Sequence, residues 1–178
     1  MHDNIKDKIN LFLRHRIPLM TTLMLMFLFY LPINSLEFNY FRPAVGVICV
    51  YYWTLKREYM FSYISAFMVG FLMDAYSSIP LGINILMMMV LVFITKLAVR
   101  YFKSASFVGS WLLFGFVGLL LIFIKWLLVS IYFGGFIPLT EIMVNFLSTL
   151  MFYPLVAYIN IWVQANLLPQ ERINEKKW

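Results

Sequence analysis

The sequence predicts an all-α fold, a polytopic membrane protein in which six transmembrane helices form one bundle. Of its 178 residues, 63% are apolar and only 12% are charged, and the mean hydropathy is +0.84. In soluble domains about a quarter of the residues are charged. Six apolar segments approach the length that crosses a bilayer, and basic residues collect in alternate loops. This composition excludes a disordered chain, a collagen-like repeat and a disulfide-stapled secreted domain.

The six apolar segments follow one another with short connections. The first has no charged residue, and the second reaches spanning length only if Phe38, Tyr40 and Phe41 are included. Lys125 interrupts the fifth segment and Glu141 lies in the sixth. Segments two and three are short for a transmembrane helix. The segments cover residues 17–33, 44–55, 59–73, 81–95, 107–133 and 137–163.

The basic residues predict how these segments are oriented. Twelve of the 14 Lys and Arg residues lie in alternate loops and tails, against one in the remaining loops. A re-entrant hairpin for segments two and three is rejected, because it would place Lys56 and Arg57 in hydrocarbon at about 2.5–3.5 kcal/mol each. We therefore predict a multi-pass protein of the bacterial inner membrane with both termini in the cytoplasm. Residues 1–16 form a basic cytoplasmic segment, 17–163 the membrane domain and 164–178 a cytoplasmic tail.

The net charge of +6 has a second interpretation, a nucleic-acid-binding surface. Its distribution argues against that, because the basic surplus follows the predicted cytoplasmic side. We expect no nucleic-acid partner and instead a contact with anionic lipid.

Three ionisable residues lie at or near membrane depth, namely Asp74, Lys125 and Glu141. Lys125 precedes Phe133, at the turn between segments five and six, by eight residues, and Glu141 follows it by eight, so the two have similar depths. We predict an intramembrane Lys125–Glu141 ion pair. The pair could be purely structural, it could form a contact for a partner or ligand on the outer side, or Lys125 could snorkel outward.

Small residues recur at a spacing of four in the third segment. Ser62, Ala66, Gly70 and Asp74 therefore share one helical face. Small residues at a membrane interface allow two helix backbones to approach closely. The face could pack against another span of this chain or against a helix of a partner.

A short connection, residues 74–82, links segments three and four. We predict that Asp74 accepts hydrogen bonds from backbone amides of this loop and so fixes the angle between the two spans. Pro80 suits the first turn of segment four.

Catalytic constellations are not evident in the sequence. His2 and His15 both lie in the N-terminal flank, far in predicted depth from Asp74 and Glu141, which argues against a Ser–His–Asp arrangement. No Gly-rich phosphate loop or Cys/His cluster occurs, so we expect no metal and no cofactor. A membrane enzyme using the carboxylates is retained only as a competing hypothesis.

Three stretches carry a resemblance to a known family. They are Phe41-Arg42-Pro43, then VICVYYWTLKRE, then AFMVGFLMDAYSSIPLGINIL. The last contains G-x-x-x-D, as Gly70 and Asp74, followed by a short loop with Pro80, Leu81 and Gly82. In these features the chain resembles the bacterial rod shape-determining MreD family, most clearly over residues 41–95.

The resemblance implies a non-catalytic inner-membrane component of the cell-elongation machinery. Such proteins work with the bitopic protein MreC and, indirectly, with MreB-like filaments, a RodA-like glycosyltransferase and a penicillin-binding transpeptidase in side-wall peptidoglycan synthesis. An MreC-like membrane helix is the first candidate for the small-residue face. The resemblance also implies a fold similar to the substrate-binding subunits of energy-coupling-factor transporters. A transporter subunit with an outer pocket near Asp74, Lys125 and Glu141 is therefore the alternative function.

Overall fold

The computed structural model describes residues 3–30, 43–77, 80–102, 106–135 and 139–168, without the side chains of residues 3–15, 30, 102, 139 and 141. Within these ranges the chain forms six α-helices, and each overlaps one of the six predicted apolar segments. The helices are α1 (Asp3–Tyr30), α2 (Val45–Lys56), α3 (Tyr63–Tyr76), α4 (Ile83–Phe102), α5 (Phe107–Phe133) and α6 (Leu139–Leu167).

Three helical stretches of the described chain are long and apolar enough to cross a membrane: Ile83–Tyr101, Phe107–Phe133 and Ile142–Leu167. The other apolar helical stretches are shorter: Arg16–Phe29, Val45–Lys56 and Tyr63–Tyr76. The structure therefore shows a helical membrane protein, whereas six complete spans remain a prediction.

Helix α2 lies at the centre of the bundle. It packs against α1, α3, α4 and α6, while α1, α3, α4, α5 and α6 contact one another in a closed ring. Ten of its twelve residues are buried, and Val47 and Lys56 are the exceptions. A helix enclosed by protein does not need to match the thickness of the bilayer, because protein groups satisfy its ends. The Ala44 amide, just before α2, donates to the Thr149 hydroxyl of α6 at 3.0 Å.

An aromatic cluster joins α2 to α5 and α6. The ring of Phe114 stacks on that of Tyr153 with centroids 4.8 Å apart, and the Tyr51 ring lies 5.1 Å from Phe114. The Tyr51 hydroxyl donates to the Ser110 carbonyl oxygen at 2.8 Å. The buried aromatic rings thus supply contact area between the helices. The Tyr51 hydroxyl, which is the polar group that α2 contributes to this cluster, has a hydrogen-bond acceptor.

Helix α6 contains Pro154. Proline has no amide hydrogen, so the carbonyl of Leu150, four residues earlier, lacks its usual helical donor. The Trp111 indole of α5 donates to that carbonyl oxygen at 3.1 Å. In a bilayer, where water is absent, such a replacement holds the proline-containing turn and joins α5 to α6.

The third helix begins later than the sequence predicts. Segment three was expected from residue 59, but Arg57 and Met60 form a turn, in which the Met60 amide donates to the Arg57 carbonyl at 2.9 Å. Ser62 then caps α3 by accepting from the Ser65 amide. The helix also continues two residues beyond Asp74, to Tyr76. The Ser62 cap, rather than hydropathy, sets the first boundary.

Candidate functional site

Asp74 is buried at the end of α3 and holds the beginning of α4. Its Oδ2 accepts from the backbone amides of Gly82 at 2.8 Å and Ile85 at 3.3 Å, and its Oδ1 accepts from the Asn84 amide at 3.0 Å. The first amides of a helix have no partner within the helix, and a carboxylate there also interacts favourably with the helix dipole. Asp74 therefore accepts a hydrogen bond from one backbone amide of the loop, that of Gly82, as predicted, and from two amides of the first turn of α4, which fixes α3 against α4.

The side chain of Asn84 extends this arrangement to α5. Its Nδ2 donates to the Ser77 hydroxyl at 3.1 Å, while its Oδ1 accepts from the Lys125 ammonium at 3.2 Å. Asn84 of α4 thus bonds the end of α3 and the cation of α5 through its side chain, and the Asp74 carboxylate through its backbone amide. We call Asp74, Asn84 and Lys125 the polar clasp.

The small-residue face of α3 packs within the chain. A Cβ added to Gly70 would lie 2.6 Å from the Ile85 Cα and 3.0 Å from the Asn84 carbonyl oxygen, so only glycine allows this approach of α3 to α4. Ala66 and Asp74 are also buried, whereas Ser62 is exposed and caps the helix. Of the two alternatives for this face, the structure supports packing against another helix of the same chain.

The connection between α3 and α4 ends on a glycine with a left-handed backbone. Gly82 has φ of +105°, a conformation that side-chain-bearing residues rarely adopt. Leu81 is exposed, and the Pro80 carbonyl accepts from the Ile83 amide at 3.4 Å. The prediction that Pro80 occupies the first turn of α4 is wrong, because α4 begins only after Gly82, where Asp74 caps it.

A cavity of about 80 Å³ lies beside the clasp. It is a partly open cavity, lined near the beginning of α2, by the first half of α4 and of α6, by the last part of α3 and by the middle of α5. We call it the Lys125 cavity. Its lining comprises Ala44, Val47, Met73, Asn84, Met87, Met88, Leu91, Phe114, Gly118, Leu121, Ile122, Lys125, Asn145, Phe146 and Thr149.

Several predicted residues fall partly or wholly outside the described structure. Arg42 lies outside the described residues, and Pro43 is buried, with its carbonyl accepting from the Val45 amide. The side chain of Glu141 is not among those described, so the Lys125–Glu141 ion pair stays a prediction. Asn145 of α6 lines the cavity together with Lys125.

Asn84 is the residue that sequence analysis missed. It is one polar residue in an apolar segment, and polar side chains at membrane depth usually have a partner. Its position one residue after the start of α4 could have identified it as the link. Within the described part of the chain, no group of His, Cys, Asp and Glu side chains could hold a metal ion.

These features define a helical membrane protein whose interior polar residues tie its helices together. A family model described as rod shape-determining protein MreD matches residues 7–161. The chain belongs to that family. The family is one of shape-determining structural proteins and is not known for enzymes.

One curated relative is an uncharacterized protein of Rickettsia prowazekii (strain Madrid E). It is 32% identical to this chain over 89 residues. The match covers 50% of this chain, and the chain spans about half the length of that relative. No solved structure matches the chain.

Proposed function

We propose that this chain is a non-catalytic scaffold of the cell-elongation machinery in the bacterial inner membrane. It binds an MreC-like bitopic membrane protein and supports side-wall peptidoglycan synthesis. Through that partner it acts indirectly with MreB-like filaments, a RodA-like glycosyltransferase and a penicillin-binding transpeptidase. The observation that best supports this is the polar clasp, since the Asp74 carboxylate is engaged by three backbone amides. A carboxylate held in this way fixes α3 against α4, and a rigid bundle suits a scaffold.

The proposed orientation has six spans and both termini in the cytoplasm. Helices α2 and α4 both begin beside the Lys125 cavity, so their ends at Lys56 and Arg100 lie on the opposite side of the bundle. Arg100 is exposed, and Arg57 directly follows α2. These basic residues favour that side as the cytoplasmic one, where they would contact anionic lipid at about 1 kcal/mol per residue.

The partner helix would contact an outward-facing surface of the bundle. The small-residue face is occupied by α4 at Gly70, which removes the face first considered for an MreC-like helix. Outward surfaces of the described helices carry large apolar side chains, among them Ile64, Phe71 and Met151. Gly70 then affects the partner indirectly, by setting the position of α3.

Co-purification in mild detergent tests this proposal. The tagged full chain should recover the bitopic partner, and Gly70→Leu should lose it because α3 and α4 are forced apart. Membrane insertion should continue, since it depends on the hydropathy of the segments. Gly115→Ala is the matched control, because its Cβ would meet Leu150 Cδ1 at an ordinary 3.5 Å.

Three outcomes would contradict the proposal or part of it. If the wild-type chain recovers no cell-wall protein, the scaffold function fails. If it instead recovers ATPase subunits and binds a small molecule, the transporter alternative, which the comparisons do not support, would replace it. If Gly70→Leu recovers the partner fully, the position of α3 does not matter for the interface.

A further inference from the structure

Helix α3 is too short to cross a bilayer, although one of its faces lies on the outside of the bundle. It has 14 residues and therefore a length of about 21 Å, against about 30 Å of hydrocarbon. Ile64, Phe67 and Phe71 are exposed along it. The short helix α2 is enclosed by protein, whereas α3 meets the membrane itself.

The contacts of α3 with α4 show at which end of α3 this length is missing. The two helices run antiparallel, because Asp74, near the end of α3, holds the beginning of α4. At the other end, Lys96 Nζ lies 4.5 Å from the centroid of the Tyr63 ring. Helix α4 continues from Lys96 to Phe102, so it projects about 9 Å past the beginning of α3. We call this difference in length the α3 step.

The face of α4 that meets α3 changes polarity at the α3 step. Gly70 lies against Ile85, and Val92, two turns further along the same face, is fully buried. Lys96 and Arg100 continue this face at a spacing of four, and they are half-buried and exposed, respectively. Since α3 does not extend to this level, the two cations face the surroundings of the bundle instead of a helix.

The connection from α2 to α3, residues 57–62, lies at the α3 step and has irregular backbone. Tyr59 is 83% exposed and Ser62 is exposed as well. Arg57 and Glu58 add charged side chains that are only half-buried. Irregular backbone that protein does not cover is not found within hydrocarbon. The surroundings of this connection are therefore polar, although α4 beside it continues further.

We propose that the headgroup layer of the bilayer descends into the α3 step, so that the membrane is thinner beside α3 than beside α5, and that anionic phospholipid headgroups contact Lys96 and Arg100 there. A bilayer adapts to a short apolar surface by local thinning, and anionic headgroups are attracted to clustered basic residues. The proposal gives the lipid contact suggested above a defined place. It depends on the membrane-spanning helices and not on the scaffold function.

Spin labels on the full-length chain, reconstituted in bilayers that contain phosphatidylglycerol, test the depth of the α3 step. Ile64→Cys in α3 and Phe116→Cys in α5 are matched sites, because the two native side chains are 74% and 69% exposed. Phe116 is nine residues after the beginning of α5, which places it in hydrocarbon. Cys49 is fully buried, and the wild-type chain treated with the label supplies the background.

We expect the label at Ile64→Cys to collide with a water-soluble nickel chelate severalfold more often, relative to oxygen, than the label at Phe116→Cys. The difference should shrink in phosphatidylglycerol with short acyl chains, because that bilayer already matches the length of α3.

Native mass spectrometry of the same chain tests the contact with anionic headgroups. The wild-type protein should bind phosphatidylglycerol more tightly than phosphatidylcholine. Lys96→Gln and Arg100→Gln should each reduce that preference about fivefold. Arg100 is exposed, so its variant keeps the packing of the bundle and the test does not depend on Lys96→Gln alone.

Three results would overturn the proposal. The first is an oxygen-rich environment at Ile64→Cys equal to that at Phe116→Cys, since hydrocarbon would then cover α3. The second is exclusion of both oxygen and the nickel chelate from Ile64→Cys, which would mean that another protein surface covers it. The third is equal binding of the two lipids by the wild-type chain, or a preference that neither glutamine variant changes.

Discussion

At the scale of single residues, Asp74 caps α4 from the end of α3. Helix caps are usually supplied by the residue just before the helix, but here Gly82 has no side chain to do so. The carboxylate of Asp74 reaches across the loop and accepts from Gly82, Asn84 and Ile85. A buried amide without a partner carries a desolvation penalty, which this cap removes for the first turn of α4.

Replacing Asp74 tests the cap. Asp74→Asn keeps one acceptor oxygen and should lower the free energy of unfolding by ~1.5–3 kcal/mol, because the charge-assisted bonds are lost. Asp74→Ala should cost more, since no acceptor remains. Unfolding by detergent titration measures both. No loss of stability in Asp74→Ala would show that the amides do not depend on this side chain.

The hydrogen bond from Trp111 to the Leu150 carbonyl can be tested with two substitutions, the second of which should reduce the cost of the first. Trp111→Phe should cost ~1–3 kcal/mol of unfolding free energy, because it leaves a buried carbonyl without a donor. In a Pro154→Ala background the new amide of residue 154 can bond Leu150, so the same change should cost clearly less. Identical costs in both backgrounds would contradict this account of the proline turn.

The Lys125–Glu141 pair is tested by removing its members singly and together. A lone buried charge is more costly than none, so Lys125→Met and Glu141→Gln should each lower the folded yield. The double variant should lower it by less than the sum of the two. A strictly additive loss, measured as monodisperse protein after purification, would mean that the two residues do not pair.

At the scale of helices, the hydropathy of the sequence located the six described helices. Asp74, at the start of the short connection to α4, indicated the residue that caps α4. Hydropathy did not indicate that α2 is central, because in a membrane the side chains that face lipid and those that face protein are both apolar. The helical periodicity that separates core from surface in soluble proteins is therefore weak. Asn84 was missed for a related reason, since its partners come from α3 and α5, 7 and 41 residues away.

The close contact of α3 and α4 depends on Gly70. Gly70→Ala should lower the free energy of unfolding by ~1–3 kcal/mol, because its Cβ would lie 2.6 Å from the Ile85 backbone and the helices must separate. Gly115→Ala should be neutral or stabilise by up to ~1 kcal/mol through helix propensity. Detergent titration of both variants measures the difference. If Gly70→Ala is as stable as Gly115→Ala, the contact is not close.

At the scale of the whole molecule, the bundle is a ring of five helices around α2, fixed by the polar clasp on one side and by the aromatic cluster inside. Its described outward surfaces are rich in large apolar side chains, which suits contacts with lipid and with helices of other proteins. This architecture, together with membership of the MreD family, supports the proposed scaffold function.

Depletion of the chain in its own cells, with imaging of cell shape, tests the central claim most directly. The account predicts that depleted cells lose their rod shape and become round. Wild-type protein and Gly115→Ala should restore the length-to-width ratio, whereas Gly70→Leu should not. Cells that remain rods after the chain is gone would contradict the account.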